Sequence, residues 1–402
     1  MAVLPRGMTM ADVQHEHQMM TNRSHDEAER QNNVRTLRQS LLRKFAAGSR
    51  EMFYREIKPE YEKQTGKPLD DYRQIRTEML KGNYMKFQMG FHRVVQELMF
   101  ESLIPPVEQQ LPDLVKKSKE MDRNLGTLEL DPDLELPRYI TAVDIHCQPG
   151  GYTTDHHDDD IAAGAIYDRA IHIYNSGSAG MADGAGRMIT AYLDAVFPDL
   201  VPSRILDMGC TIGHSTAAYV KRWPEADVHA IDVGAALLRY GHARAEALGL
   251  KVHFSQQSAE QTNFEDGSFD LIVSNILAHE TSTKAWPKII KECHRLLKPG
   301  GVMIHGDLPQ LEEVDPYRQF IYTNETHYNN EPFWTKYRTL DLKRIAIDAG
   351  FLPDNVIRDF SQVKGGKDQA KIDAAIDTSR ATGYGAPAGS PLGMAYIIGT
   401  KE

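Results

Sequence analysis

Residues 205–216 read ILDMGCTIGHST. An apolar run ends in Asp207, and Gly209 and Gly213 then bracket Cys210, Thr211 and Ile212 in a tight turn before a helical stretch starts at His214. Glycine lets the backbone approach a bound ligand without a Cβ in the way. The next apolar run, VHAID, ends in Asp232, 25 residues after Asp207. That spacing is close to the one at which dinucleotide folds place the acid that binds a ribose. Taken singly, Asp207 reads as a helix cap, Asp232 as the end of a strand and the glycines as packing residues. Taken in register, they read as a nucleotide-type ligand site.

Outward from this stretch, short β-branched runs alternate with amphipathic segments. Strands are predicted at 204–208, 228–232, 252–254, 269–274 and 302–305, and helices at 214–223, 235–248 and 284–297. Such βαβα alternation predicts a parallel sheet with helices on both faces and a ligand crevice at the carboxyl ends of its strands.

The turn has the form D-x-G-C-x-x-G, with an acid before its first glycine. A carboxylate there repels a pyrophosphate but accepts from an ammonium. Downstream lie QQSAEQTNFEDGSFDLIVSN (256–275) and RLLKPGGVMIHGD (295–307), and upstream YDRAIHIYN (167–175). Together these resemble the class I S-adenosylmethionine-dependent methyltransferases, particularly the small-molecule group that includes ubiquinone and menaquinone biosynthesis enzymes. The resemblance covers roughly residues 165–402 and is best over 204–308. It implies a Rossmann-like seven-stranded sheet and S-adenosyl-L-methionine as cofactor, with S-adenosyl-L-homocysteine as product. It also implies roles by position. Gly209, Cys210 and Gly213 pass beneath the methionine part of the cofactor, and Asp207 serves its amino group. Asp232 accepts both ribose hydroxyls, and Val233 packs on the adenine. Ser258, Ala259 and Glu260 match the usual Asp-Ala-Glu at the adenine edge. Asn275 lies near the methionine part, and Tyr174 closes over the carboxylate. Two positions depart from the pattern. Thr211 stands in place of a middle glycine, as a small polar residue the turn can accommodate. Ser258 replaces an acid, so the adenine amino group is left to Ser258, Gln257 or water.

Methyl transfer from a sulfonium chiefly requires that donor and acceptor be held at attack distance. His279, in SNILAHE (274–280), sits where this group places a residue facing the acceptor, and is the candidate general base. An equally simple reading makes it a helix-packing residue. His305 and Asp307 are weaker candidates on the same rim. The stretch HCQPGGYTTDHHDDD (146–160) offers His146, His156, His157 and Asp158–Asp160, but its spacing matches no zinc or calcium loop. A solvated acidic loop or a flap over the cofactor is therefore the preferred reading, no metal ligand is assigned, and a metal site is the minority alternative.

The remainder reads as support. Residues 1–30 are polar and expected to be flexible; residues 31–137 form a helical region. Within it, Phe87, Phe91, Val94 and Leu98 share a helical spacing in a segment expected to stop at Pro105-Pro106. The acidic stretch 122–137 reads as a linker, 138–146 as a strand, and 138–184 as a connecting segment and cofactor flap. The catalytic domain spans 185–402, with an aromatic insertion at 310–339 and a Gly- and Ala-rich one at 361–393. Ten of the 16 methionines fall in the first 100 residues, which suits an adaptable wall around an acceptor.

The 402 residues carry 46 Lys+Arg against 56 Asp+Glu, and this net charge of −10 argues against a nucleic-acid partner. The surplus of +4 over residues 1–100 is too weak for a phosphate-tracking surface. Three scattered cysteines exclude a disulfide framework. No apolar run approaches a membrane span, and no basic start followed by an apolar run marks a secretory leader, so a cytoplasmic protein is expected. The expected partners are a small-molecule acceptor and, through the N-terminal helices, a second copy of the chain. Two other readings remain at this stage. One is an NAD(P)-dependent oxidoreductase, opposed by the acid before the first glycine and the missing third glycine. The other is a cofactor-binding scaffold without activity.

Overall fold

The computed structural model describes residues 16–121, 123–175, 183–360 and 394–402. The expected insertion at 361–393 and residues 1–15 lie outside them.

An eight-stranded sheet forms the frame, in the order β1-β4-β3-β2-β5-β6-β8-β7. Its members are β1 (Thr127–Glu129), β2 (Arg204–Met208), β3 (Asp227–Asp232), β4 (His253–Gln256), β5 (Phe269–Asn275), β6 (Leu297–Asp307), β7 (Val356–Phe360) and β8 (Ala395–Thr400). All neighbours pair in parallel except β8, which runs antiparallel to both β6 and β7. Ile205, Leu206, Leu271, Ile272 and Val273 are buried because helices cover both faces, as unbroken apolar runs in a parallel sheet require. Chain order reverses between β2 and β5, and the carboxyl ends there open into a crevice.

Seven strands are of the expected kind. The eighth, β1, corrects the linker reading of 122–137: this stretch adds an edge strand beside β4. Glu246 pins it, accepting from the backbone N–H groups of Arg123, Leu125 and Gly126. A Cβ on Gly126 would lie 1.9 Å from the Val252 carbonyl oxygen, so glycine permits the approach. The strand expected at 138–146 is instead a short helix, Arg138–Thr141, followed by a 3-10 turn at Ile145–Cys147. Pro137 starts that helix, and positive φ at His146 and Cys147 rules out extended backbone.

The N-terminal region also departs from expectation. The helix Asn83–Glu120 runs straight through Pro105, Pro106 and Pro112. Proline removes the N–H that would pair with the carbonyl four residues earlier. For Pro106 that carbonyl is Ser102 O, and the Gln31 side chain donates to it instead, at 3.2 Å. Pro105 and Pro112 free the carbonyls of Glu101 and Glu108, both exposed residues that water can serve. The buried face of this helix carries Met85, Met89, His92, Gln96 and Met99, whereas Phe87 and Val94 point outward.

Nor are residues 16–30 free. His17 and Met19 are buried against Asp168 and Tyr240, and a helix begins at His25 behind a Ser24 capping box. The Asp168 carboxylate accepts from His17 Nε2 (2.7 Å), His214 Nε2 (3.0 Å) and Tyr240 Oη (2.9 Å), with Arg244 Nε at 3.6 Å. One core cluster accordingly mixes Val34, Val95, Met99 and Leu103 with Ile212, Leu237 and Tyr240. The N-terminal helices and the sheet's helices therefore share a core. In a second cluster, Tyr317, Phe320 and Ile321 of the aromatic insertion pack on Phe53, Ile75 and Met89.

Burial pushes the Asp168 carboxyl up, but hydrogen bonds from His17 and His214 and the charge of Arg244 more than reverse this and hold it well below the usual range. Its contribution to stability is therefore present above about pH 4, the unfolded carboxylate value, and is lost as pH falls through the folded value. Asp168→Ala leaves Arg244 buried without its carboxylate, which is expected to cost about 3–5 kcal/mol. Urea denaturation at pH 7 measures the loss, and a change below 1 kcal/mol would show that this junction is not what joins the two layers.

Candidate active site

A cavity of about 580 Å³ opens at the carboxyl ends of β2, β3 and β5 and runs beneath the N-terminal helices. Asp207, Gly209, Cys210, Asp232, Asn275, Tyr174 and His279 all line it. The sequence-predicted Gly213, Val233, Ala259 and Glu260 do not. Gly213 faces Phe254, and Ser258 borders a separate cavity of about 280 Å³ beside Leu130 and Gln256. The Glu260 carboxylate is taken by Tyr139 Oη (3.0 Å) and Lys288 Nζ (2.8 Å). Tyr139 thus ties the Arg138–Thr141 helix to Glu260.

The glycine turn itself is built from Asp232. Its Oδ2 accepts from Thr211 N at 2.9 Å and its Oδ1 from Gly234 N at 3.0 Å. Thr211 sits at φ +49°, where a β-branched residue is strained by about 1–2 kcal/mol, and the Asp232 bond holds it there. A carboxylate offers about four lone-pair sites, so two remain for a bound diol. Gly209, at φ +70°, keeps the floor open: a Cβ there would lie 2.6 Å from Leu277 Cδ1. The Asp207 carboxylate accepts from Thr216 Oγ1 at 2.6 Å. Burial raises it to about 7, with the Thr216 hydrogen bond opposing and the Asp232 charge adding. Asn275 donates to Tyr219 Oη at 2.7 Å, while its buried Oδ1 has no partner. Two diol-ready lone pairs, a carboxyl poised for an ammonium and an open amide oxygen fit the ribose and methionine parts of the expected cofactor.

Beyond β5, Ile276 at φ +60° turns the chain so that Leu277, His279 and Glu280 meet the cavity. Asp307, at the end of β6, accepts from His279 Nδ1 at 2.6 Å. Burial pulls the His279 pKa down, but the charges of Asp307, Glu280 and Glu331 outweigh this and raise it to about 9. His279 Nε2 makes no hydrogen bond. His305, the weaker candidate, is pulled down to about 3 by burial and bonds Ser274 Oγ at 2.7 Å. Its ring points from β6 toward Trp286 and Cys293 and does not line the cavity.

Several lining residues escape a linear reading. Arg38 lies with its guanidinium 3.9 Å over the Tyr174 ring, and Nε donates to the Tyr174 carbonyl at 2.6 Å. Tyr152, Tyr167, Tyr322 and Trp334 supply aromatic walls. Trp334 and Tyr322 come from the 310–339 insertion, which both packs on the N-terminal helices and faces the chamber. His146 reaches Glu280 through Nε2 (2.9 Å) and Glu331 through Nδ1 (3.1 Å). The aromatic richness of 310–339, the His279-Glu280 pair and the ligand-type side chain of His146 signalled this end of the site in the sequence; nothing singled out Glu331.

Comparison with known proteins meets this geometry. A family described as "Methyltransferase domain" matches residues 205–301. A demethylmenaquinone methyltransferase of Thermus thermophilus is 32% identical over 108 residues, covering 27% of this chain and 48% of that protein. A trans-aconitate 2-methyltransferase of Deinococcus radiodurans is 32% identical over 112 residues, covering 28% and 40%. A malonyl-[acyl-carrier protein] O-methyltransferase of Coxiella burnetii is 31% identical over 180 residues, covering 42% and 58%. The chain spans between 35% and 58% of the length of the curated relatives it matches. A solved S-adenosylmethionine-dependent methyltransferase from Clostridium acetobutylicum aligns at 22% identity and a TM-score of 0.31, covering 36% of this chain and 58% of that one. Residues 205–301, which build the turn, both acids and the His279 rim, are thus similar to a methyltransferase domain.

Proposed function

We propose that this chain transfers a methyl group from S-adenosylmethionine to a small-molecule acceptor enclosed beneath the N-terminal helices. The observation that carries this reading is the continuity of the cavity. The same space of about 580 Å³ touches Asp207 and Asp232 at one end and His279 and Glu280 at the other. When bound, the cofactor supplies an electrophilic methyl on a sulfonium. The chain's own residues then do three things. Asp232 and Asp207 orient the donor from the ends of β3 and β2. Leu277 and the aromatic walls exclude water. His279, its ring fixed by Asp307, presents Nε2 to the acceptor; with its pKa raised to about 9 it holds a proton there at neutral pH, and it takes one from the acceptor only as the pH approaches that value. Holding the two reactants in line is worth about 7–11 kcal/mol without a dedicated base.

The helical region forms the acceptor's cover, since Arg38, Leu42, His92, Gln96 and Met99 line the chamber and no cofactor contact requires them. Among the described residues no helix is long and apolar enough to cross a membrane.

Three measurements test the assignment. Asp232→Ala removes a charged acceptor, and its affinity for S-adenosylhomocysteine is expected to fall by about 1.5–3 kcal/mol in titration calorimetry. Unchanged affinity, or tight NAD binding by the wild type, rejects the cofactor. Because Asp207 is raised to about 7, it is protonated below that pH and loses its attraction for an ammonium. Affinity for S-adenosylhomocysteine should rise with pH through 7 and level off above it, by up to about tenfold per unit on the acid side. Asp207→Asn should flatten this profile; a wild-type profile flat from pH 5.5 to 8 removes Asp207 from the contact. Finally, His279→Ala is expected to lower turnover about 10²–10⁴-fold while leaving cofactor affinity within about twofold. Wild-type turnover in that variant would leave positioning by the aromatic walls as the whole of the catalysis.

A further inference from the structure

We propose that the acceptor end of the chamber holds a divalent transition-metal ion, bound by His279 Nε2 and the carboxylates of Glu280 and Glu331, with His146 as the fourth donor. The assignment stands on the ligand geometry; with the ion bound, His279 Nε2 is a ligand and no longer takes a proton, and only the ion's service to an acceptor rests on the methyltransferase reading.

One ligand-bearing atom each of His146, Glu280 and Glu331 lies within 4.8 Å of the others. His279 Nε2 borders this group of three, at 3.7 Å from Glu280 Oε1 and 3.6 Å from Glu331 Oε2. Those separations are too long for hydrogen bonds. They are close to the spacing of about 3.3–3.6 Å between two ligands at a tetrahedral angle, each about 2.0–2.2 Å from one ion. His279 Nε2 and Glu331 Oε2 are both fully buried and make no hydrogen bond, yet they face each other. Among the described residues no Lys or Arg pairs with either glutamate; their charged partners are the two imidazoles.

The surroundings hold the ligands in place. Asp307 accepts from His279 Nδ1, so Nε2 is the nitrogen left to an ion, which displaces its proton on binding; this is the carboxylate–histidine arrangement that orients metal-bound imidazoles. Asn329 Nδ2 donates to Glu331 Oε1 and leaves Oε2 to point at His279. His146 sits at φ +56° followed by Cys147 at φ +58°, a strained pair that delivers the ring to this point. His146, His279 and Glu280 line the cavity, so an ion has a route in and an acceptor oxygen has a route to the ion. A set of two imidazoles and two carboxylates suits Zn²⁺, Fe²⁺ or Mn²⁺; Mg²⁺ and Ca²⁺ take all-oxygen sets. The preference against a metal came from the spacing within 146–160, and three of the four ligands lie outside that stretch.

The full-length protein, stripped with EDTA and dialysed, is titrated with Co²⁺ while visible absorption is recorded, and with Zn²⁺ in a calorimeter. The expected result is one equivalent bound, with d–d bands of a four- or five-coordinate site. Glu331→Gln and His146→Gln should each weaken Zn²⁺ at least tenfold, and Asp307→Asn by about 10–100-fold. Binding of S-adenosylhomocysteine by the same samples reports that the chamber is folded. Should buried Glu331→Gln fail to fold, His146→Gln, at the half-open rim, decides alone. A wild type that binds neither ion at micromolar concentration, or variants that bind as the wild type does, overturns the site. Metal binding without cofactor binding rejects the methyltransferase reading and leaves the metal site standing; cofactor binding without metal does the reverse.

Discussion

A single buried carboxylate joins the two halves of this molecule. Asp168 is met by His17 from the N-terminal segment, His214 from the glycine turn, and Tyr240 and Arg244 from the helix after β3. A carboxylate taken out of water has to be paired and hydrogen-bonded to persist. The four partners that satisfy it come from three separate stretches of chain, so the charge can be met only when the helical layer is seated on the sheet. The roof of the chamber depends on that seating. Arg38, Gln96 and Met99 reach the cavity because the helices carrying them share a core with Ile212 and Tyr240.

A second carboxylate organises the donor side. Asp232 ties the loop after β2 to the loop after β3 by accepting from Thr211 and Gly234. It thereby holds Thr211 in a conformation that a β-branched residue avoids. The result is a turn with its ligand-facing backbone already set, and a carboxylate with lone pairs still open to a diol. Strain recurs at Ile276 and His146, both at the chamber wall, and at Cys147 next to His146. Positive φ at such residues persists only where surrounding contacts over-determine it, and these contacts are the ones that aim side chains inward.

The acceptor end is built differently, from long side chains rather than backbone. Two imidazoles and two carboxylates meet there with fewer hydrogen bonds than their atoms can make, beside Trp334 and Tyr152. Buried polar groups are rarely left short of partners without a reason. The same insertion that brings Glu331 and Trp334 also packs Tyr317 and Phe320 on the N-terminal helices, so roof and ligand cluster are positioned together.

Local patterns in the sequence determined the sheet from β2 to β6, its intervening helices and the turn from Asp207 to Gly213. In each case the information lies within a few residues: runs that are buried on both faces, glycines where the chain must turn, an acid at a strand end. The same logic reached Asp207, Gly209 and Asp232 as a ligand turn; Asn275 and His279 came from the family resemblance, and all five line the cavity. It failed where the partner is distant in the chain. Pro106 does not end its helix because Gln31 supplies the missing donor from another helix. The acidic stretch near residue 127 is a strand because Glu246 and β4 receive it. Residues 16–30 are ordered because Asp168 and Tyr240 receive His17 and Met19. His146, Glu280 and Glu331 form one cluster only because three loops converge over the crevice. Spacing along a chain carries the period of a helix or strand and the geometry of a tight turn. It carries nothing about which distant charge satisfies another, and that pairing, decided in the folded core, placed the roof and the acceptor end of this site.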